Sequence, residues 1–180
     1  MNAMNPITPV TPEQFEVMDK DERLNYELID GIVMMSPSPS FEHQTISNKL
    51  VFKLNLQLEN TPCQPLYEYD IRVNQDIYKP DVMVFCQEND ELPRIVFEII
   101  SPTSKHRDLV TKVAKYEQAG IAEYWILDPK SRSITVHDFV GGETEIYIIG
   151  DTIHSKAIPG IVIAVADIFS TRRPAQKDGQ

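Results

Sequence analysis

A carboxylate lies within one of the most apolar stretches of the sequence. Glu98 follows Ile95-Val96-Phe97 and precedes Ile99-Ile100, a run that is apolar on both faces of a strand and predicts a central, doubly covered strand. An ionised carboxylate left unpaired in such a place costs several kcal/mol, so Glu98 must be neutral, ion-paired or bound to a metal. A salt bridge, or exposure at the strand end, is the alternative to a metal.

A second carboxylate opens another apolar strand. Asp81 comes directly before Val82-Met83-Val84-Phe85, although Pro80-Asp81 is also typical of a strand that simply begins after a turn. Two carboxylates on neighbouring apolar strands repel each other unless a cation joins them, and carboxylate oxygens suit Mg²⁺ or Mn²⁺. Asp81 and Glu98 together therefore predict a metal site.

A lysine that could serve the water of such a site lies on the next predicted helix. On a helical wheel, Leu109, Val113 and Tyr116 form the inward stripe. Lys112 borders that stripe, whereas Lys115 points towards solvent. A bordering lysine can also lie harmlessly along the helix surface with its amine in water. We expect Lys112 to face inward and Lys115 to face solvent.

Hydrophobic periodicity and turn residues indicate the elements that position these side chains. We predict a short helix from Thr11, a β-hairpin across Asp30-Gly31, and helices from Ser40 to Asn60 and from about Asp108 to Ala119. Strands are predicted at 24–29, 32–35, 67–73, 81–87, 94–100, 123–127, 133–140 and 144–149. The expected fold is α/β, a mixed central β-sheet flanked by helices in one domain over residues 11–170. Residues 1–10 are expected to form a flexible arm and residues 171–180 a flexible tail.

The composition is that of a globular and acidic chain. It has 180 residues, of which 42% are hydrophobic and 24% charged, and a domain of this size buries roughly 70% of its unfolded surface. The net charge of −10 argues against broad contact with nucleic-acid phosphates, which usually requires a basic surface. A nucleic-acid role would depend on a local basic cluster, for which the candidates are Lys105, His106, Arg107, Lys112 and Lys115.

Two features concern the cellular environment. No stretch approaches the ~18 apolar residues of a membrane helix, and the N-terminus lacks the pattern of a signal peptide, so we expect a cytoplasmic protein without membrane contact. Cys63 and Cys86 are too few and too isolated for a zinc site or a disulfide framework. We therefore expect free thiols, with Cys86 buried.

Five ordered segments resemble a known family. They are residues 26–31 (YELIDG), 80–81 (PD), 95–104 (IVFEIISPTS), 112–116 (KVAKY) and 119–128 (AGIAEYWILD). This ordered set resembles the Uma-two family of endonuclease-like proteins over about residues 11–170. Members of that family resemble the restriction-endonuclease-like, or PD-(D/E)XK, nuclease superfamily, so the resemblance implies a nuclease fold and a nuclease-type site.

The resemblance also implies a role for each residue of the candidate site. Asp81 and Glu98 would hold Mg²⁺ or Mn²⁺ with the backbone carbonyl of Ile99. Lys112 would orient or deprotonate the attacking water. The superfamily motif places its lysine two residues after the strand carboxylate, where this sequence has Ile100. The resemblance therefore implies that the lysine has moved to the following helix.

Two further residues are accessory candidates. The resemblance implies that Glu27 makes an additional acidic contact, although Glu27 also fits the polar outer face of a strand in which Tyr26 and Leu28 alternate with it. His43 lies on the apolar stripe of the helix that begins at Ser40. It could line the cleft or contact a phosphate, although a hydrogen-bonded core histidine explains it as well.

The function implied by the resemblance is Mg²⁺-dependent hydrolysis of phosphodiester bonds, with nucleic acid, DNA in the first place, as the substrate. A homodimer would suit a nuclease that cuts both strands of a duplex. The acidic net charge and the absence of the strand lysine favour an alternative, a catalytically inactive binding or regulatory module with the nuclease fold. A hydrolase of another phosphoester is the third reading. Metal-dependent cleavage of a panel of nucleic acids would separate the first two.

Overall fold

A computed structural model of the chain describes residues 8–87, 91–101 and 106–170, and of residues 106–109 only the backbone. The predicted arm up to residue 7 and the predicted tail from residue 171 lie outside these ranges. Val10, the last residue of the predicted arm, contacts the domain, because its amide donates to the Gly31 carbonyl at 2.9 Å. Among the described residues, no helix is long and apolar enough to cross a membrane.

The main sheet has six strands. Their spatial order is β10 (Glu143–Tyr147), β9 (Ser133–Asp138), β8 (Glu123–Asp128), β7 (Ile95–Ile99), β6 (Val82–Phe85) and β3 (Gln64–Tyr67). All neighbours are antiparallel except β7 and β8, which are parallel and are joined through helix α3 (His106–Gln118). Such a crossover is the usual connection between parallel neighbours. It carries α3 across one face of the sheet, beside Glu98.

A second sheet covers part of that face. Its spatial order is β2 (Ile32–Pro37), β1 (Leu24–Ile29), β5 (Asp76–Tyr78) and β4 (Ile71–Val73). The other elements are the helices α1 (Pro12–Glu16), α2 (Phe41–Leu58) and α4 (Val165–Phe169), and a two-stranded sheet of β11 (Thr152–His154) and β12 (Val162–Ala164). The predicted fold class, a mixed central sheet flanked by helices, is confirmed.

The core lies on both faces of the six-stranded sheet. On one face, the buried stripe of α2 packs against alternate residues of the central strands; this cluster includes Ile46, Leu50, Leu54, Leu58, Val82, Val84, Phe97 and Trp125. On the other face lie Met83, Val96, Tyr116 and Tyr124 with residues of β4 and β5. Every residue of β7 is buried, as expected for a central strand covered on both sides.

Local signals in the sequence account for most element boundaries. Thr11 and Gln14 form the capping box that begins α1, and the Ser40 side chain caps α2 by accepting the His43 amide. The hairpin turn has positive φ at both Asp30 and Gly31, which is the conformation that an Asp-Gly pair favours. These predictions are confirmed.

One predicted strand is wrong. The extended segment predicted at 67–73 is interrupted at Glu68, whose φ is +49°, so that Tyr67 ends β3 in the main sheet and β4 belongs to the second sheet. Five elements at other places, β5, β11, β12, α4 and the N-terminal half of β3, were not predicted. Each is short, and strands of three residues carry too few positions for an alternation to be recognised.

The prediction of free thiols is also wrong, because Cys63 and Cys86 form a disulfide and no described cysteine is free. Cys86 is half-buried, not buried. The two cysteines extend the β3–β6 ladder by one position beyond the Gln64 and Phe85 pair, which places them directly opposite each other. Their proximity depends on strand pairing between distant segments, and two isolated cysteines gave no sign of it.

We expect the disulfide to contribute measurably to stability. Its closed loop spans a sequence separation of 23, for which the loss of chain entropy in the unfolded state corresponds to about 3 kcal/mol. Replacing both cysteines with serine should lower the free energy of unfolding by about this amount in denaturant titrations. A reductant should lower it similarly in the wild type and leave the double variant unchanged. Equal stability of the wild type with and without reductant would contradict this expectation.

Candidate active site

Asp81 and Glu98 occupy facing positions on neighbouring strands. The antiparallel register pairs Val82 with Phe97, so the next positions along the two chains are Asp81 and Glu98, which lie opposite each other. Asp81 is also tied to β7, because its Oδ2 accepts the backbone amide of Ile99 at 2.7 Å. The structure therefore brings the two predicted carboxylates together at one end of the β6–β7 pair.

Lys112 joins the two sheets at this point. Its side chain reaches inward from α3, and the residue is only 6% exposed. The amine donates to Glu98 Oε1 at 2.8 Å and to Glu27 Oε1 at 2.9 Å. Glu98 belongs to the six-stranded sheet and Glu27 to the four-stranded sheet. The wheel argument that placed Lys112 on the inner face of its helix is confirmed.

Glu27 faces the interior of the site and not solvent. It lies on β1, and besides the Lys112 amine its Oε1 accepts the backbone amide of Lys79 at 3.0 Å. Its side chain is half-buried between the two sheets. The alternative assignment of Glu27 to a polar outer strand face is therefore wrong, and the alternation of Tyr26 and Leu28 did not reveal it.

His43 reaches the same cluster from the opposite layer. It lies in the first turn of α2, and its Nε2 is 3.1 Å from Asp81 Oδ2. The residue is buried, and its Nδ1 has no hydrogen-bond partner. His43 is thus a buried histidine paired with Asp81, which fits both a core histidine and a residue of the proposed site. The sequence placed it on the buried stripe of α2 but could not show that this stripe ends at the carboxylates.

The burial of these groups perturbs their protonation. Burial raises the pKa of Glu98 to about 7, and the negative charges of Asp81 and Glu27 act in the same direction, against the lowering effect of Lys112. Burial would lower the pKa of Lys112, but the charges of Glu98 and Glu27 outweigh it and raise that pKa above its usual value. Lys112 therefore stays a cation, and Glu98 takes up a proton near neutral pH.

Asp81 has a corresponding effect on His43. Burial alone would lower the pKa of the imidazole, but the hydrogen bond to Asp81 and the charges of Asp81 and Glu98 outweigh it, so the pKa of His43 is raised. The contact with Asp81 therefore favours the protonated form of His43. Strongly perturbed groups gathered in one place are characteristic of functional sites.

Three tyrosines, Tyr78, Tyr116 and Tyr124, enclose the charged groups. The Tyr116 hydroxyl lies 3.4 Å from Glu98 Oε1, and its ring meets those of Tyr78 and Tyr124 edge-on at centroid distances of 5.3 and 5.1 Å. The Tyr124 hydroxyl is buried without a hydrogen-bond partner. Trp125 is packed in the core on the opposite face of the sheet. The sequence signal for Tyr116 was its place on the inward stripe of its helix, which Lys112 borders.

Lys115 does not face solvent, contrary to our prediction. Its amine donates to Asp30 Oδ1 at 2.6 Å and to Asp76 Oδ2 at 2.8 Å, in a second ion-pair cluster beside the first. Because Lys112 and Lys115 are both paired with carboxylates, neither contributes free positive charge to the proposed phosphate-binding cluster. The side chains of Lys105, His106 and Arg107 lie outside the described residues.

The donor atoms of the site fit a hard cation such as Mg²⁺ only partly. Within the described ranges, no group of three or more histidine, cysteine, aspartate or glutamate side chains is arranged to hold a metal. Mg²⁺, however, commonly uses one or two protein carboxylates and takes its other ligands from water and substrate phosphate. Asp81 and Glu98 supply two, and the three carboxylates outnumber the one permanent cation, Lys112. The oxygen donors of Asp81 and Glu98 are thus compatible with a magnesium ion when Glu98 is deprotonated.

A solved structure has a similar fold. The chain is similar to a structure from Anabaena variabilis ATCC 29413 described as "a putative nuclease belonging to DUF820". The TM-score is 0.79 at 20% sequence identity, and the match covers 89% of this chain and 98% of that chain. At this level of identity the likeness concerns the fold alone. No curated protein matches the sequence.

The sequence also matches a family model. The family Uma2, described as "Putative restriction endonuclease", matches residues 12–166. This match covers most of the chain and includes all the residues of the site from Glu27 to Lys112. The resemblance noted in the sequence is therefore confirmed, and the chain belongs to the Uma2 family.

Proposed function

We propose that the protein is a Mg²⁺- or Mn²⁺-dependent endonuclease that hydrolyses phosphodiester bonds of nucleic acid. Asp81 and Glu98 would hold the ion, with the backbone carbonyl of Ile99. When bound, the ion would polarise the phosphoryl group, activate water and offset charge on the leaving oxygen. Water adds to phosphorus as the bond to the leaving oxygen breaks, giving a phosphomonoester end and a hydroxyl end.

The single observation that carries this proposal is the convergence on Lys112. A buried lysine held between a strand carboxylate and a carboxylate of a second sheet, beside a third carboxylate, is costly to build, and alternatives with apolar residues are often as stable or more stable. The presence of such a cluster is therefore better explained by chemistry than by stability. The nuclease fold and the family supply the reaction class.

The protonation state of Lys112 selects between its two suggested roles. Because its pKa is raised, the amine is a cation at neutral pH and cannot accept a proton from water. It would instead donate hydrogen bonds, either to the attacking water or to the negative charge that develops on the phosphoryl oxygens. Glu27 would keep the amine in position by its 2.9 Å contact, and His43 would restrain Asp81.

Cleavage by a purified panel of variants tests the proposal. With Mg²⁺ or Mn²⁺, the wild type should cut at least one of single-stranded, duplex or branched DNA or RNA, and a chelator should stop it. Asp81→Asn and Glu98→Gln preserve shape but remove a metal ligand, and each should lower the rate by at least about 100-fold. Glu145→Gln, at an exposed carboxylate on β10, is the matched control and should cut normally.

The acidic charge of the chain makes a negative outcome informative. If the folded wild type cuts none of these substrates with either metal but binds one of them, the inactive binding module becomes the better reading. Cleavage only of small phosphoesters would favour the third reading, a hydrolase of another phosphoester. Cleavage that survives both carboxylate variants would mean that the site lies elsewhere.

A further inference from the structure

The cluster around Lys115 lies one helical turn from Lys112. Asp76 is its centre and is only 3% exposed. Asp76 Oδ1 accepts the backbone amide of Asp30 at 2.7 Å, and its Oδ2 accepts both the Lys115 amine at 2.8 Å and the Tyr78 hydroxyl at 3.1 Å. Every contact of this carboxylate is thus with the second sheet or with α3.

These contacts hold α3 at one position along the second sheet. Lys115 is three residues after Lys112, so both side chains leave the helix on neighbouring lines of the same surface. Lys115 is bound at the β1–β2 turn through Asp30 and on β5 through Asp76. A sliding or rotation of α3 against the second sheet would break these contacts and would move the Lys112 amine with the helix.

A second connection runs through an aromatic ring. Tyr78, whose hydroxyl is held by Asp76, has its ring 5.6 Å from the Lys112 amine and in edge contact with Tyr116. Tyr116 in turn lies against Glu98. Asp76 therefore restrains the Lys112 and Glu98 pair by two routes. It restrains Lys112 by binding Lys115 of the same helix, and it restrains Glu98 through the rings of Tyr78 and Tyr116.

We propose that Asp76 and Lys115 are positioning residues, which hold Lys112 between Glu27 and Glu98 by fixing α3 and Tyr78. The role of this positioning in catalysis rests on the proposed function. The holding of Lys112 by these contacts does not. The hydrogen bonds and ion pairs of Asp76 and Lys115 are all made with protein groups, and this favours positioning over contact with substrate. Loss of the contacts between Lys115 and Asp76, which we call the clamp, should allow the Lys112 amine to leave its two carboxylates more often.

The accessibility of Lys112 can be measured without any substrate. We expect an amine-specific acetylating reagent, followed by peptide mass spectrometry, to modify Lys112 slowly in the wild type because the residue is buried and ion-paired. In Lys115→Met and in Asp76→Asn its rate should rise by about tenfold, as more frequent local opening exposes it. Lys115→Arg keeps the charge and should remain within about twofold of the wild type. Lys49 serves as an internal reference whose rate should not change.

A matched variant separates this role from a general loss of stability. Lys53 forms a 2.6 Å ion pair with Asp167, and its side chain is 28% exposed, as is that of Lys115. Lys53→Met therefore removes an ion pair of an equally exposed lysine from the opposite layer, and it should leave the modification rate of Lys112 unchanged. Equal protection of Lys112 in Lys115→Met and the wild type would overturn the proposal, and so would equal loss of protection in Lys53→Met.

Kinetics provide a second readout if the wild type cleaves nucleic acid. A displaced amine should lower kcat by about 10- to 100-fold in Lys115→Met and leave KM within about twofold, since the ground-state contacts are retained. Lys115→Arg should restore most of kcat. A raised KM with unchanged kcat would instead mean that Lys115 contacts substrate, and would overturn the positioning role. Absence of cleavage in the wild type would count against the proposed function only, because the modification rates still test the clamp.

Discussion

Replacing Lys112 with methionine should reduce the rate of cleavage by about 100- to 1,000-fold, which is the usual cost of removing one donor from a developing negative charge. The amine is the only permanent cation that contacts Glu98 among the described residues, and methionine retains the length and most of the volume of the side chain without the charge. Because the carboxylates that would hold the metal are untouched, kcat should fall much more than substrate affinity.

The same substitution has a predictable cost in stability. Without the amine, Glu27 and Glu98 lose their common partner in a buried place, and the removal of one member of a buried ion pair typically costs 3–5 kcal/mol. Lys112→Met alone could therefore lose activity by unfolding. The double variant Lys112→Met with Glu27→Gln removes one positive and one negative charge, and Glu98 is neutral when it is protonated. This variant should therefore recover much of the stability.

Comparison of these variants isolates the catalytic contribution. The double variant should fold, as judged by circular dichroism and denaturant titration, and should still be inactive. Glu27→Gln alone keeps Lys112 and should retain more activity than either variant that lacks the lysine. If the folded double variant cleaves at the wild-type rate, Lys112 has no part in the reaction and serves only to neutralise buried carboxylates.

Much of the central sheet could be predicted because its residues are locally consistent. The run around Glu98 is apolar on both strand faces and becomes a fully buried central strand, and the Asp30-Gly31 pair becomes the hairpin turn. In these places, local preference and tertiary environment agree. The recognition of the family is confirmed on the same segments.

The segments that were wrongly predicted owe their structure to contacts with distant parts of the chain. Glu68 adopts a left-handed conformation and directs the chain from one sheet into another, a change that no periodicity announces. Cys63 and Cys86 become neighbours only because β3 pairs with β6. Such outcomes are set by strand pairing, and a pattern read along the chain contains no information on the partner strand.

The candidate site shows the same division. Glu98 was identifiable because a charged residue interrupts an apolar strand, and Lys112 because it borders the inward stripe of its helix. Asp76 was missed because it stands in a three-residue strand that itself was not recognised. Lys115 was assigned to solvent because a helical wheel describes only the angle around the helix. The wheel does not show that the edge of a second sheet lies within reach of a long side chain.

Addition of Mg²⁺ or Mn²⁺ should stabilise the folded protein, and more strongly at pH 8 than at pH 5.5. The rise of the pKa of Glu98 from its ordinary 4.5 to about 7 means that the folded state favours the protonated carboxyl. In the metal-free protein, the associated stability is complete below pH 4.5 and is lost as the pH rises through about 7. The amount is on the order of 3 kcal/mol.

His43 changes the stability with the same sign. Its pKa is raised in the folded state, so the stability from its contact with Asp81 is complete below its ordinary pKa and is lost as the pH rises through the raised value. At low pH, therefore, Glu98 carries a proton and Asp81 faces an imidazolium. Both conditions oppose the binding of a cation, and both are relieved at higher pH.

A metal ion should reverse the pH dependence. Binding requires the deprotonated form of Glu98, so the apparent dissociation constant should increase by about tenfold for each pH unit below 7, and a proton should be released on binding. At pH 8, a hundredfold excess over the dissociation constant should add about 2.7 kcal/mol to the free energy of unfolding. Thermal unfolding measures the stabilisation, and calorimetry in buffers of different ionisation enthalpy counts the protons.

The variants assign this response to individual side chains. Asp81→Asn and Glu98→Gln should abolish the stabilisation by metal, and Glu98→Gln should also remove most of the loss of stability between pH 5 and pH 8 in the metal-free protein. The double variant Lys112→Met with Glu27→Gln should keep the response to metal while lacking cleavage, because it retains both proposed ligands. A metal affinity that does not change between pH 5.5 and pH 8, or one that survives Glu98→Gln, would show that Glu98 does not bind the ion.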